Sequence, residues 1–313
     1  MSASAAAHCS VYSACDDPRV NSTRLQAPPG LHIILGDSAG GIFTRNYGRQ
    51  DLLVDRDVLS VGPTSRCADF AAWKAMRSAF WREVVPDETL HPPTLNIADD
   101  ADRLRAAERI NHWAATGVTE QLSIAFTIHV IDELGIDPAR LRLLQFEQYR
   151  DRPRHIAGMG ELNEENMAAH PEPRSFTPQE LEDYRVAWGT LTAAKPETFE
   201  RFPAQRPQAN QFLKNAMQLM LRRFPDQNTG LVHWDRVLLE SVRAHGPNAA
   251  RVIGHALMDG WDSGDLVGDA YLFARLRRLA DESLAPPRVR LSGARTSMRD
   301  TQVELTQLGA ATP

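Results

Sequence analysis

Apolar and polar positions alternate along this chain in two rhythms, one of strands and one of helices. Leu31 to Leu35 is a nearly unbroken apolar run that stops at Gly36-Asp37-Ser38, as a buried strand does on meeting a polar loop. Ala39 to Tyr47 then opens a helix, closed by Gly48 and the polar residues after it. Leu52 to Val54 repeats the strand pattern and runs into Asp55, Asp57 and Ser60, with the tight Gly62-Pro63 turn behind. Phe70, Trp73, Met76, Ala79 and Phe80 recur at helical spacing within 68–83, and a further helix is predicted over 98–108. Residues 109–114 form a third strand. Leu122, Phe126, Ile128 and Ile131 make the buried stripe of a helix over 119–134, with Gly135 at its end. Leu141 to Phe146 is a fourth strand. Strand, helix and strand at this spacing predict a βαβ unit, hence an α/β fold with a small parallel sheet flanked by helices.

Beyond residue 150 the rhythm turns helical. Pro178 stands at the first position of a helix over 178–193. A proline-rich stretch from Lys195 to Pro207 then leads to a helix over 208–223. Three more helices, 233–244, 249–258 and 269–280, precede two short β-like runs, 288–291 and 302–305. Three helices and a hairpin make a winged-helix-like unit. The predicted organisation is a leader over 1–30, an α/β ligand-binding domain over 31–150, a helical linker domain over 151–225 and the winged-helix-like domain over 226–313.

Composition narrows the function classes. The formal net charge is −5, with no basic excess to neutralise phosphates. Residues 226–313 hold ten Arg, no Lys and eleven Asp plus Glu. That disfavours nucleic acid as a partner, although Arg275, Arg277 and Arg278 lie on the helix that would enter a major groove. No stretch reaches membrane-spanning length, and the Ala- and Ser-rich leader lacks the pattern of a signal peptide. Three cysteines, Cys9, Cys15 and Cys67, form no CxxC pair. They suggest a reduced, cytoplasmic chain without a zinc knuckle. His112 has no partner at metal-ligand spacing, and no motif specifies a metal or a cofactor.

The candidate chemistry gathers at the carboxyl ends of the first strands, where open α/β sheets bind ligands. Asp37, Ser38 and Gly40 lie at a helix start, whose unpaired N–H groups suit phosphate or carboxylate. The alternative is that Asp37 and Ser38 merely cap that helix. Asp57 and Ser60 belong to a rigid turn. Asp57 either faces Asp37 as an acid/base or metal partner or closes an Asx-type turn, and Asp55 is its outward-facing neighbour. Gln121 is placed to reach an amide or base edge from the next helix, whose Glu120 complements the dipole.

Three blocks carry a resemblance: His32 to Ser38, Asp57 to Pro63, and Trp113 with Glu120-Gln121-Leu122. In this order they resemble the bacterial family catalogued as domain of unknown function 1835, over about residues 30 to 148. The later part, with Gly230-Leu231 and Gly268-Asp269, resembles the helical partner catalogued as domain of unknown function 3658. The resemblance implies a fold and recurring polar residues, and it brings no established activity. Together these features predict a protein that binds or processes a small polar or anionic metabolite, such as a nucleotide. One alternative is a ligand-sensing regulator whose winged helix binds nucleic acid or protein. A second is a serine hydrolase resembling the SGNH esterases through Gly36-Asp37-Ser38, for which no late Asp-x-x-His is present.

Overall fold

The computed structural model describes residues 25–48, 50–86, 97–150 and 154–312. The leader thiols Cys9 and Cys15, and most of the turn-rich segment 86–93, lie outside the described residues.

Four parallel strands, β1 (Leu31–Leu35), β2 (Leu52–Asp55), β3 (Ile110–Ala114) and β4 (Leu141–Gln145), form the sheet. The two-residue β5 (Arg174–Ser175) adds an antiparallel edge, giving the order β2-β1-β3-β4-β5. The chain leaves β1 for β2 on one side and later returns to β3 on the other. The carboxyl ends of β1 and β3 therefore flank a topological switch point.

Both faces of the sheet are covered, so successive strand residues enter different cores. Leu31, Ile33 and Leu53 pack with α4 (Val118–Glu133). Ile34 and Val54 pack with α1 (Asp37–Tyr47), beside Phe43, Tyr47 and Trp113. Gly40 is needed for this contact, because a Cβ there would lie 2.8 Å from Val54 Cγ2. All four apolar residues expected on the inner stripe of α4 are buried, as is nearly every other residue of its first thirteen.

Helix α2 (Phe70–Val84) differs from its predicted stripe. Its buried residues are Trp73, Arg77, Trp81 and Val84, while Phe70, Met76 and Phe80 sit half-buried beside them and Ala79 is exposed. A charged residue in the middle of the stripe shifted the apparent apolar face. The 98–108 segment divides into a 3₁₀ turn at Ile97–Asp100 and α3 (Ala101–Ala106).

After the short α5 (Glu164–Ala168), α6 spans Pro178–Ala193, with Pro178 at its first position. A capping box links Thr177 and Glu180. The proline-rich joint is itself helical. Residues Pro196–Gln205 form α7, with Pro196 at a position where its missing N–H costs nothing. Phe199 and Phe202 drive this helix into the core. Then come α8 (Gln211–Leu219) and a 3₁₀ turn at Met220–Arg223. Helices α6 to α8 share one buried cluster with α4 and the sheet.

The last part holds α9 (His233–His245), α10 (Ala249–Ser263), α11 (Asp269–Leu279), the hairpin β6 (Val289–Gly293) and β7 (Thr301–Leu305), and α12 (Gln307–Ala311). Its cluster also includes Val61, Trp81 and Val84, so it packs on α2. Among the described residues, no helix is long and apolar enough to cross a membrane.

Candidate functional site

The carboxyl rim of the sheet has an open part and a filled part. At the open part, β1 ends at Gly36 (φ 86°), which turns the chain into α1 without any side-chain cap on the helix. The capping alternative for Asp37 and Ser38 is therefore not what forms. Asp37 is instead held by Arg56, whose Nε donates to Oδ1 at 2.8 Å, and its side chain is 70% exposed. Ser38 is exposed, and its hydroxyl forms no hydrogen bond with other described residues. Gly160 lies alongside, where a Cβ would be 3.5 Å from Ser38 Cβ. Gly40 is buried beneath this turn against β2.

Asp57 does not face Asp37. It is 1% exposed and accepts hydrogen bonds from Arg77 Nε, Arg77 Nη2 (2.7 Å) and Trp81 Nε1 (2.9 Å). Arg77 also donates to the carbonyls of Val58, Val61 and Pro63. A charge on the inner face of α2 thus finds every partner in the Asp57–Pro63 loop and holds its shape. Ser60 is buried in a hydroxyl pair with Thr119 at 2.9 Å. Gln121 is fully buried; its Nε2 donates to Ala115 O, and its Oε1 accepts from Tyr184 Oη at 2.8 Å. Of the six residues singled out in the sequence, Asp37 and Ser38 present side chains to the surface of the rim. Asp57, Ser60 and Gln121 are enclosed by protein partners.

At the filled part, two loops close over β3 and the start of α4. The amides of Thr116 and Gly117 donate to the carbonyls of Ile156 and Ala157, each at 2.9 Å. Val118 N–H donates to Gly264 O, and Thr119 Oγ1 to Leu266 O. The loop between α10 and α11 therefore satisfies the first amide of α4, a helix with no side-chain cap, and anchors the Thr119 hydroxyl. Glu120 is turned inward beneath Met159, whose amide donates to Oε1 at 2.8 Å; the Ala115 amide approaches Oε2 at 3.4 Å.

Two carboxyls in this rim escape the sequence reading. Asp55, expected to face outward, is fully buried on the α4 side of β2. Its Oδ1 accepts from Asp57 N, and its Oδ2 has no partner. Burial pushes its pKa up to about 7, helped by the Asp57 charge and opposed by hydrogen bonds from the Asp57 and Arg56 amides. Burial likewise pushes Glu120 up to about 8, against its Met159 and Ala115 hydrogen bonds, with the Glu161 and Asp55 charges adding to the rise. The alternation along β2, which places Leu53 in the α4-side core, was the available signal that Asp55 points inward.

These raised values make stability fall with rising pH. The folded chain keeps both protons where the unfolded chain, with ordinary carboxyls, has released them. The contribution is lost as pH rises through the folded values near 7 and 8. His32 and His112 are lowered by burial to about 4 and about 3, so they act below pH 7 and in the opposite sense. Between pH 7 and 9 we expect a loss of about 2 kcal/mol. Urea midpoints at the two pH values measure it, and Asp55→Asn and Glu120→Gln should each flatten the slope.

His112 is buried, with Nδ1 3.0 Å from Thr127 Oγ1. Trp113 is core, its Nε1 donating to His32 Nδ1. In the last part, Arg275 pairs with Asp235, and Arg277 donates to Val84 O. Two of the three arginines on α11 therefore turn toward protein partners. Among the described residues, no group of three or more His, Cys, Asp and Glu has the geometry to hold a metal ion.

Fold and rim together define an α/β protein whose parallel sheet has a carboxyl rim open at β1 and sealed by loops at β3. Compared with known proteins, the sequence matches no family model and no curated protein.

Proposed function

We propose that this chain binds a small polar or anionic metabolite, a nucleotide being one member of that class, at the carboxyl end of β1. The first turn of α1 receives the negatively charged end of the ligand. The observation that carries this reading is the uncapped start of α1 at the switch point, beside an exposed Ser38, in a rim otherwise closed by hydrogen-bonded loops. Helix amides and dipole there favour an oxyanion. Arg56 adds a positive charge, and Asp37 adds an acceptor for a hydroxyl. Near neutrality the buried Glu120 is largely protonated and Asp55 about half so, which lessens the opposing charge behind the site. Binding is assigned here, not catalysis: both acids lie beneath the surface, and among the described residues no histidine bonds to Ser38. The inward-turned arginines of α11 weigh against a DNA-reading role for the winged-helix-like part. Kinship with the domain of unknown function 1835 family rests on the three sequence blocks. The sparse cysteines fit a reducing, cytoplasmic setting.

A thermal-shift series with inorganic phosphate, AMP and ATP tests the proposal. A ligand at a hundred times its Kd adds about 2.7 kcal/mol to stability. Ser38→Ala with Arg56→Gln should abolish that shift and leave the unliganded Tm near the wild-type value, because neither side chain is buried. No shift with any of the three ligands, or a shift untouched by the double variant, would overturn the assignment.

A further inference from the structure

A cavity distinct from the β1 rim lies at the end of the Asp57–Pro63 block, lined by Gly62 to Ser65. It measures about 300 Å³, at the small end of ligand pockets. Gly62 to Ser65 form one side; Arg223, Tyr271 and Arg275 form another; Phe80, Phe199 and Phe224 supply apolar wall. It therefore spans the seam between the α/β part and the later helices.

The polar side is rich in donors that the protein leaves unused. Arg223 donates Nε–H to Ser60 O and one N–H from each terminal nitrogen to Asp265. Arg275 donates from Nε and Nη2 to Asp235, leaving Nη1 without a partner among the described residues. A guanidinium has five N–H donors, so each keeps at least two. Tyr271 is 7% exposed, yet its hydroxyl makes no hydrogen bond with any described residue. Its oxygen is not enclosed by protein atoms and faces open space, and Tyr271 lines both cavities on this seam. An adjoining cavity of about 460 Å³ shares Gly62, Pro63, Phe80, Tyr271 and Arg275, and its added charges are mixed: Arg277 and Arg278 with Glu83 and Asp281.

From these convergent donors we infer that the seam cavity binds a small oxyanion carried on an apolar body, a carboxylate or a phosphate monoester. The Tyr271 hydroxyl and the spare N–H groups of Arg223 and Arg275 accept its oxygens, and Phe80, Phe199 and Phe224 enclose its body. Asp235 and Asp265 fix the two guanidiniums, so the donors are held in place before the ligand arrives.

Calorimetric titration of the full chain with phenyl phosphate, phenylacetate and inorganic phosphate tests this. Saturable binding of phenyl phosphate or phenylacetate, tighter than inorganic phosphate, is expected, and which of the two binds tells phosphate from carboxylate. Tyr271→Phe should weaken binding about tenfold, the effect of losing a hydrogen bond to a charged group. It should leave the urea midpoint unchanged, since no protein partner is lost. Phe80→Leu trims the apolar wall without touching a hydrogen bond, and should weaken the phenyl ligands while sparing inorganic phosphate. Ser38→Ala with Arg56→Gln should leave seam binding intact, which separates it from the rim. Absence of saturable binding by both phenyl anions, or binding unaffected by both Tyr271→Phe and Phe80→Leu, would overturn the inference.

Discussion

Replacing Arg77 by alanine is expected to destabilise the chain by about 3–5 kcal/mol, the cost of leaving a buried charge without its partner. The consequences exceed one ion pair. The Arg77 and Asp57 side chains are 1% and 2% exposed, and Arg77 also satisfies three loop carbonyls. Removing it leaves the Asp57 carboxylate without a counter-charge, held only by Trp81 Nε1, and deprives the Val61 and Pro63 carbonyls of their donor. Apolar replacement of both partners of a buried pair is often harmless. Here Asp57→Asn with Arg77→Met should not restore wild-type stability, because the carbonyls of Val61 and Pro63 lose their donor, while Val58 O keeps only the Val61 amide. Arg77→Lys keeps the charge but cannot reach this set of acceptors with one ammonium, and an intermediate loss is expected. Urea unfolding followed by tryptophan fluorescence measures all three, since Trp81 donates to the same carboxylate. A loss under about 1 kcal/mol for Arg77→Ala would show that the loop is not organised by this side chain.

Gly117→Ala is expected to cost at least about 1–3 kcal/mol, the usual cost of forcing an extra methyl group into closed packing. A Cβ at Gly117 would stand 2.2 Å from Ala157 O and 2.8 Å from Gly264 O. Both obstacles are backbone, so neither loop can yield by turning a side chain. The displaced loops also carry the bonds to Thr116, Val118 and Glu120. The damage should therefore concentrate at the sealed rim. Hydrogen exchange should quicken at the amides of Thr116, Gly117, Val118 and Met159, while those of β1 and β3 keep their protection. Exchange unchanged at these four amides would mean that the two loops do not close the rim as described.

The elements were largely legible in the sequence because their signals are local. The abrupt end of Leu31–Leu35 at Gly36, Pro178 at a helix start and the long apolar stripe from Leu122 to Ile131 each act within a few residues. The parallel sheet followed from their order. What escaped depends on contacts distant along the chain. Lys195–Pro207 reads as a loop by its prolines, yet Phe199 and Phe202 bury themselves beneath the neighbouring helices and hold it helical.

The candidate site was less legible than the fold, for a related reason. Polar residues gathered at one rim look alike in sequence, whether they meet a ligand or each other. Asp57 meets an arginine twenty residues later, Ser60 meets Thr119, and Gln121 meets Tyr184. Only Arg77 gave a sign of this, by standing one turn from both Trp73 and Trp81 on an otherwise apolar face. Asp55 and Glu120 were misjudged because burial, not residue type, decides whether such a carboxyl carries charge.

The most direct test of the proposed rim site is a titration of isotope-labelled chain with inorganic phosphate, followed through backbone amide resonances. Saturable shifts largest at Ser38, Ala39 and Gly40, absent in the Ser38→Ala and Arg56→Gln double variant, are expected of an anion seated on the first turn of α1. Shifts confined to other amides, or none at any phosphate concentration that leaves the protein folded, would contradict it.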